Sequence, residues 1–251
     1  MEYALGSDPG RQREINEDCV GVFCVGNVFT VALLLDGMGG ANGGKFASSS
    51  AYKTIVTELE LRLSFLLCEE KGITGMDVGN ILRQSAEVAN GYLYDISRKD
   101  INLRGMGTTL VAAVFYGQHC CILNVGDSRG YYFSDGQVTQ ITKDQSYLQY
   151  LLDTDRISSQ DIKDFSEKNV IMSAVGTEDV LNCDLYHLTF TGESDEYLLL
   201  SSDGLHGLVS EGQLCRIVFQ NGTLQNKVNK MIADANTAGG EDNISAILIR
   251  R

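Results

Sequence analysis

Residues Thr108 to Thr142, TTLVAAVFYGQHCCILNVGDSRGYYFSDGQVTQIT, decide the fold. Runs near 108–116, 119–125, 130–134 and 137–142 are rich in β-branched, aromatic and aliphatic residues and are divided by short polar breaks. The last two meet at Asp135-Gly136, a two-residue turn whose members both tolerate positive φ, so an antiparallel meander is expected. Upstream, 3–6, 19–25 and 28–35 also read as strands. A helix then follows with Ala47, Ala51, Ile55, Leu59, Leu63 and Leu66 at spacings of three or four. A second helix over 78–96 carries the stripe Val78, Ile81, Leu82, Ser85, Val88, Ala89, Tyr92 and Ile96, with Gly72 and Gly75 breaking the chain between the two. Residues 147–175 are polar and mixed. Strands return near 183–190, 197–201 and 244–249, with helices near 211–220 and 223–236, the first opened by a Ser210/Gln213 capping box. Strands grouped apart from two helix pairs predict an α+β fold of packed antiparallel sheets with helices outside.

The 251 residues include 43% hydrophobic residues and a single proline, Pro9. No linker, repeat or low-complexity tract divides them, so a single domain over 1–251 is expected, with no added regulatory or anchoring segment. The formal charge of −13 and the lack of Lys/Arg clusters argue against nucleic acid as a partner. No apolar run approaches the ~20 residues that cross a bilayer, and the N-terminus lacks a signal-like apolar region, which predicts no membrane partner and a cytoplasmic location. The seven cysteines form no C-x-x-C pair and suit small buried side chains in a reducing compartment. His119, His187 and His206 lie far apart without metal-ligand spacing.

Four aspartates adjoin apolar runs. Asp36 follows Val31–Leu35, Asp127 lies just after Cys121–Val125, Asp203 lies just after Tyr197–Ser201, and Asp242 precedes Ile244–Ile249. Carboxylates at strand ends can meet at one edge of a sheet core. Two unit charges ~4 Å apart repel by roughly 4 kcal/mol at an effective dielectric near 20. Divalent cations would remove that repulsion. The donors are carboxylates and backbone carbonyls without thiolate or imidazole, which favours hard ions such as Mg²⁺ or Mn²⁺ over zinc.

Two other motifs fail on context. Gly39-x-x-x-x-Gly44-Lys45 is like a phosphate-cradling loop, but Phe46 stands where a Ser or Thr hydroxyl is needed. Gly126-Asp127-Ser128-Arg129-Gly130 matches a nucleophile elbow, with Asp203 and His206 following in hydrolase order, yet an elbow needs a helix after its serine and Tyr131-Tyr132-Phe133 continues as a hairpin.

The motifs Arg13 to Asp18, Asp36 to Gly40, Met106 to Thr109, Gly126 to Arg129, Ser202 to Gly204 and Gly239 to Asn243 occur in the order and spacing of a known family. Over essentially its whole length the chain resembles the metal-dependent serine/threonine protein phosphatases of the PPM type (type 2C), in the bacterial form whose second motif reads Asp-Gly-Met-Gly-Gly. The resemblance implies a sandwich of two antiparallel β-sheets flanked by pairs of α-helices, four layers α-β-β-α, with a metal cleft at one end. It implies that Asp36 bridges two Mg²⁺ or Mn²⁺ ions, that the Gly37 carbonyl binds the second, and that Asp203 and Asp242 complete the first. Glu17 or Asp18 would sit in or beside that shell. A third ion, frequent in bacterial members, would be held through Asp127 with Asp203. Arg13 matches the arginine that grips substrate phosphate, a task suited to a planar fork. The implied reaction is hydrolysis of phosphoserine and phosphothreonine in phosphoproteins, opposing a Ser/Thr kinase. The alternative is a catalytically silent relative that keeps the fold as a binding module.

The chain departs from the family pattern at three places. Met38 replaces the histidine proposed as general acid in eukaryotic members, Gln145 stands where Asp-His-Ser is common, and 147–175 lacks the usual His-Pro of the flap. The general acid is therefore unassigned, with His206 a lesser candidate than a metal-held water.

Overall fold

The computed structural model describes residues 1–40, 43–69, 72–157, 170–192 and 195–251. Strand β3 (Phe29–Leu35) is apolar almost throughout because both its faces are covered. Val31, Leu33 and Leu35 face one hydrophobic cluster while Ala32 and Leu34 face another, as the two-residue period of a strand demands. Beside β3 run β2 (Cys19–Val25) on one side and β6 (Leu110–Tyr116), β7 (His119–Val125) and β10 (Asp184–Thr189) on the other. The second sheet has the order β1 (Glu2–Asp8), β12 (Ile244–Arg250), β11 (Tyr197–Ser201), β8 (Arg129–Ser134), β9 (Gln137–Gln140). Every pairing is antiparallel.

Three hydrophobic clusters define four layers. Helices α1 (Gly43–Cys68) and α2 (Gly75–Lys99) cover the outer face of the first sheet through Ile55, Leu59, Leu63, Leu82 and Leu93. Phe115, Ile122, Leu198, Leu200, Ile247 and Ile249 fill the space between the sheets. Helices α5 (Glu211–Phe219) and α6 (Leu224–Thr237) cover the second sheet through Leu214, Val218, Val228 and Met231. The α-β-β-α sandwich is thus the observed architecture.

The predicted strands and long helices are present, with boundaries moved by a few residues. Asp135 and Gly136 take φ of 52° and 74°, as the hairpin reading requires. The Ser210 N–H donates to Gln213 Oε1 at 3.0 Å, closing the expected capping box. The stripe of α2 is corrected: Val88 and Tyr92 are exposed, whereas Ala86 and Leu93 are buried. The row that meets the sheet is Val78, Leu82, Ala86, Ala89 and Leu93, the i, i+3/i+4 line that follows the helix face. A second correction concerns the cysteines. All seven are free, but only Cys120 and Cys121 are buried, and Cys24 and Cys68 are exposed. Among the described residues no helix is long and apolar enough to cross a membrane.

Two short pieces escape the periodic reading. Helix α3 (Tyr147–Asp153) lies within the mixed segment, of which 158–169 fall outside the described residues. The expected strand from 108 breaks at Thr109. Its first residue belongs to β5 (Gly107–Thr108), which pairs with β4 (Gly37–Met38) to form a small ribbon at the end of the first sheet.

Candidate metal centre

Asp36 directly follows β3, and its backbone is held from the neighbouring strand on both sides. Its N–H donates to Thr109 Oγ1 at 3.0 Å, and its carbonyl accepts from Thr109 N and Thr108 Oγ1, each at 2.8 Å. Thr109 Oγ1 in turn lies 2.7 Å from Ser128 Oγ, linking this clamp to the loop that carries Asp127. The break at Thr109 therefore positions the acid at the strand end.

The second sheet brings its own acids to the same edge. Asp203 opens the short helix α4 (Asp203–His206) one residue beyond the end of β11, and Asp242 stands just before β12. These two chain segments touch closely: a Cβ on Gly204 would lie 2.1 Å from the Asn243 carbonyl oxygen, so only glycine fits. Asn243 also secures the N-terminal loop. Its Nδ2 donates to the carbonyls of Pro9 and Ile15 at 3.0 Å, and its Oδ1 accepts from the Glu17 N–H at 2.8 Å. Sequence reading placed Asn243 in a motif without giving it this role; its amide, with donors and an acceptor on one short side chain, was the available signal.

A cleft of about 360 Å³ results, lined by Arg13, Glu17, Asp36, Gly37, Asp203 and Asp242 together with Met38, Gly39 and Ile171. Arg13 Nη2 donates to Asp242 Oδ2 at 2.9 Å, leaving the rest of its fork. Glu17 Oε1 accepts from the Lys45 N–H at 3.0 Å in the first turn of α1. Asp18 lies deeper, only 3% exposed, with Oδ2 accepting from Ser202 Oγ at 3.1 Å. Asp127 is buried beside the same group but does not line the cleft.

Burial dominates the electrostatics. It lifts the Asp36 carboxyl well above the ordinary range, and the charges of Asp18, Asp203, Asp127 and Asp242 add to the shift. Burial likewise raises Asp18 to about 6 against hydrogen bonds from Ser245 and Ser202. Burial, then the charge of Asp203, raises Asp127 to about 7. Asp203 is raised by burial and by Asp242. Four carboxyl groups thus share a pocket that disfavours their charged forms, a pattern typical of functional sites.

The donor set fits hard divalent ions. Asp18 Oδ1 and Asp203 Oδ1 are buried oxygens with no hydrogen-bond partner, each needing a cation or another donor. Among the described residues no three His, Cys, Asp or Glu side chains form a closed cage for one ion. Mg²⁺ does not require such a cage, since it keeps several waters and is bound through one or two carboxylates.

His206 is removed from this chemistry. It is half-buried and does not line the cleft, its Nδ1 lies 3.0 Å from Ser201 Oγ, and its ring meets Tyr131 edge-on, with desolvation holding its pKa well below the usual value. Gln145 is structural: its Oε1 accepts from the Gly126 N–H at 3.0 Å and its Nε2 donates to Asp184 Oδ2 at 2.8 Å.

Comparison with known proteins identifies the family of the chain and relatives that share its fold. Residues 6–247 match the family described as protein phosphatase 2C. The chain is 35% identical over 251 residues to the serine/threonine phosphatase stp of Listeria monocytogenes, covering 100% of this chain and 96% of that protein. It is 31% identical to the protein phosphatase PhpP of Streptococcus pneumoniae, covering 99% of this chain and 97% of the relative. The crystal structure of the serine/threonine phosphatase Stp1 from Staphylococcus aureus superposes with a TM-score of 0.87 at 31% identity, over 100% of this chain and 94% of that one.

Proposed function

The chain belongs to the protein phosphatase 2C family, and from that premise we propose how its cleft performs the work of a metal-dependent serine/threonine protein phosphatase. The observation that carries the reading is the group of acids gathered where the two sheets end, with a buried oxygen of Asp18 and one of Asp203 unpartnered. Asp36 and the Gly37 carbonyl, with Asp203 and Asp242, would hold two Mg²⁺ or Mn²⁺ ions. Asp18 would support Asp36 from below and Glu17 from the cleft rim. Asp127, shared with Asp203, would hold a third. When bound, such ions neutralise phosphoryl charge and render a water acidic enough to act as a nucleophile near pH 7.

The chain's own residues account for the remaining steps. The Thr108–Thr109 clamp fixes Asp36 so that its carboxylate need not reorganise during turnover. Arg13 stands at the rim with free guanidinium donors to grip phosphate oxygens and align the phosphoserine or phosphothreonine for in-line attack. The leaving serine or threonine oxygen takes its proton from water rather than from His206, which lies outside the cleft lining and is engaged by Ser201 and Tyr131.

In this reading residues 1–251 act as one catalytic domain in the cytoplasm, on phosphoproteins, opposing a Ser/Thr kinase. Hydrolysis of p-nitrophenyl phosphate that requires added Mn²⁺ or Mg²⁺ tests it. Absence of turnover at every ion concentration would favour a silent binding module instead.

A further inference from the structure

A second polar groove, of about 530 Å³, lies at the C-terminal end of α2, with Tyr94, Ser97, Arg98, Lys99, Arg104 and Thr177 in its walls. It is unusual for a chain of net charge −13. Arg98 Nη1 donates to Tyr94 Oη at 2.8 Å and the guanidinium lies 5.4 Å from that ring's centroid, so it is held by a neutral partner. Among the described residues neither Arg98 nor Arg104 has a carboxylate at ion-pair distance. Lys99 reaches Asp95 only at 3.9 Å, with both side chains mostly exposed. Asp100 is turned to the Asn102 N–H and Nδ2 at 2.9 and 3.0 Å, and Glu178 and Asp179, which follow Thr177 in the chain, make no ion pair with either arginine. Cations at a helix C-terminus can serve the helix dipole alone, and that explanation suffices for Arg98 and Lys99. It does not reach Arg104, which lies beyond the helix.

The groove adjoins the metal cleft. A Cβ on Gly107 would stand 2.8 Å from Thr177 Cγ2 and 3.1 Å from Met38 Cε, so these two side chains pack over the same residue of the β4–β5 ribbon. Thr177 lines the groove and Met38 lines the cleft. Gly107 of that ribbon lies between them.

We infer that the Arg98–Lys99–Arg104 groove docks an acidic segment flanking the phosphorylated residue of the substrate, and so makes this phosphatase selective for phosphosites in acidic surroundings. Complementary charge is the recognition chemistry: the chain's net charge of −13 opposes an acidic peptide as a whole, whereas guanidinium forks without a carboxylate partner bind carboxylates bidentately. The inference rests on the phosphatase reading above.

The test uses the full chain with Mn²⁺ and two phosphothreonine peptides that differ only in glutamates replaced by glutamines on both flanks. Wild-type protein is expected to show kcat/KM about fivefold higher for the acidic peptide, a preference that shrinks in high salt. Arg98→Glu with Arg104→Glu should abolish the preference while hydrolysing p-nitrophenyl phosphate at the wild-type rate, and Arg104→Lys alone should retain most of it. Equal kcat/KM for the two peptides in wild type, or a preference that survives the double charge reversal, overturns the docking role while p-nitrophenyl phosphate turnover upholds the phosphatase. Failure of the wild type on p-nitrophenyl phosphate and on both peptides overturns the phosphatase reading and the docking role together.

Discussion

Asp36 is the residue on which the site converges, because four other acids raise its pKa on top of its own burial. Asp36→Asn should reduce turnover about 10³-fold or more, the scale of losing a central preorganised electrostatic group. The same change removes a repelled buried charge, so in chelator the variant should melt above wild type near pH 7.5 and gain less on adding Mn²⁺. Wild-type turnover, or an undiminished Mn²⁺ shift, would refute the ligand role. Arg13 differs in kind. Its ion pair with Asp242 is exposed on both sides, 55% and 40%, and contributes at most about 1 kcal/mol to stability. Arg13→Ala should therefore raise KM for a phosphopeptide by about tenfold with an unchanged melting temperature, converting a lost charge-assisted contact of about 1.4 kcal/mol. Unchanged kinetic constants would remove Arg13 from substrate binding.

Two sheets supply the acids, and the contacts between short elements set their spacing. Asp203 and Asp242 stand at the ends of adjacent strands, and the approach of Gly204 to the Asn243 carbonyl brings their backbones together. Gly204→Ala should push α4 from that loop, destabilising the fold by about 1–3 kcal/mol through overpacking against rigid backbone. Activity should fall further than stability does, because both carboxylates move. A urea titration and Mn²⁺-dependent kinetics check this; a variant equal to wild type in both would show that the contact is slack. The β4–β5 ribbon was not legible from periodicity, since two residues are too few to show a period. Its cause is instead the Thr109 hydroxyl, which takes the Asp36 N–H and interrupts the strand. Helix α3 was equally hidden in a polar stretch, opened by Ser146 accepting from the Gln149 N–H at 3.2 Å.

Across the molecule, the acid cluster makes stability depend on pH and on divalent ions. Asp18 and Asp127 have folded pKa values of about 6 and about 7, above the ordinary aspartate range of their unfolded forms, and Asp36 and Asp203 are also raised. From about pH 4 to 7 the folded protein therefore binds more protons than the unfolded chain, and stability decreases as pH rises through that window. In chelator, the melting temperature should be higher at pH 5.5 than at pH 7.5 by several degrees. Saturating Mn²⁺ or Mg²⁺ at pH 7.5 should restore it, since an ion at a hundred times its Kd stabilises by about 2.7 kcal/mol. A melting temperature that rises with pH in chelator, or ignores both ions, would contradict the electrostatic account.

Sequence alone determined the layers and the chemistry of the donors. Continuous apolar runs such as 29–35, spacing in the helices and the Asp135-Gly136 turn are local signals of backbone geometry, and carboxylate without imidazole or thiolate specifies hard ions wherever the acids meet. Whether they meet was a tertiary matter. Asp18, Asp36, Asp127, Asp203 and Asp242 span most of the chain, and only the packing of two sheets brings them to one edge. That packing also decided which of the adjacent acids Glu17 and Asp18 lies deep: Glu17 meets the Lys45 N–H at the start of α1, and Asp18 meets Ser202 beside the second sheet. It set His206 against Ser201 and Tyr131 as well, and left Arg98 and Arg104 without carboxylate partners among the described residues. Burial and mutual charge exist only once distant segments share a low-dielectric space, and no local pattern encodes that.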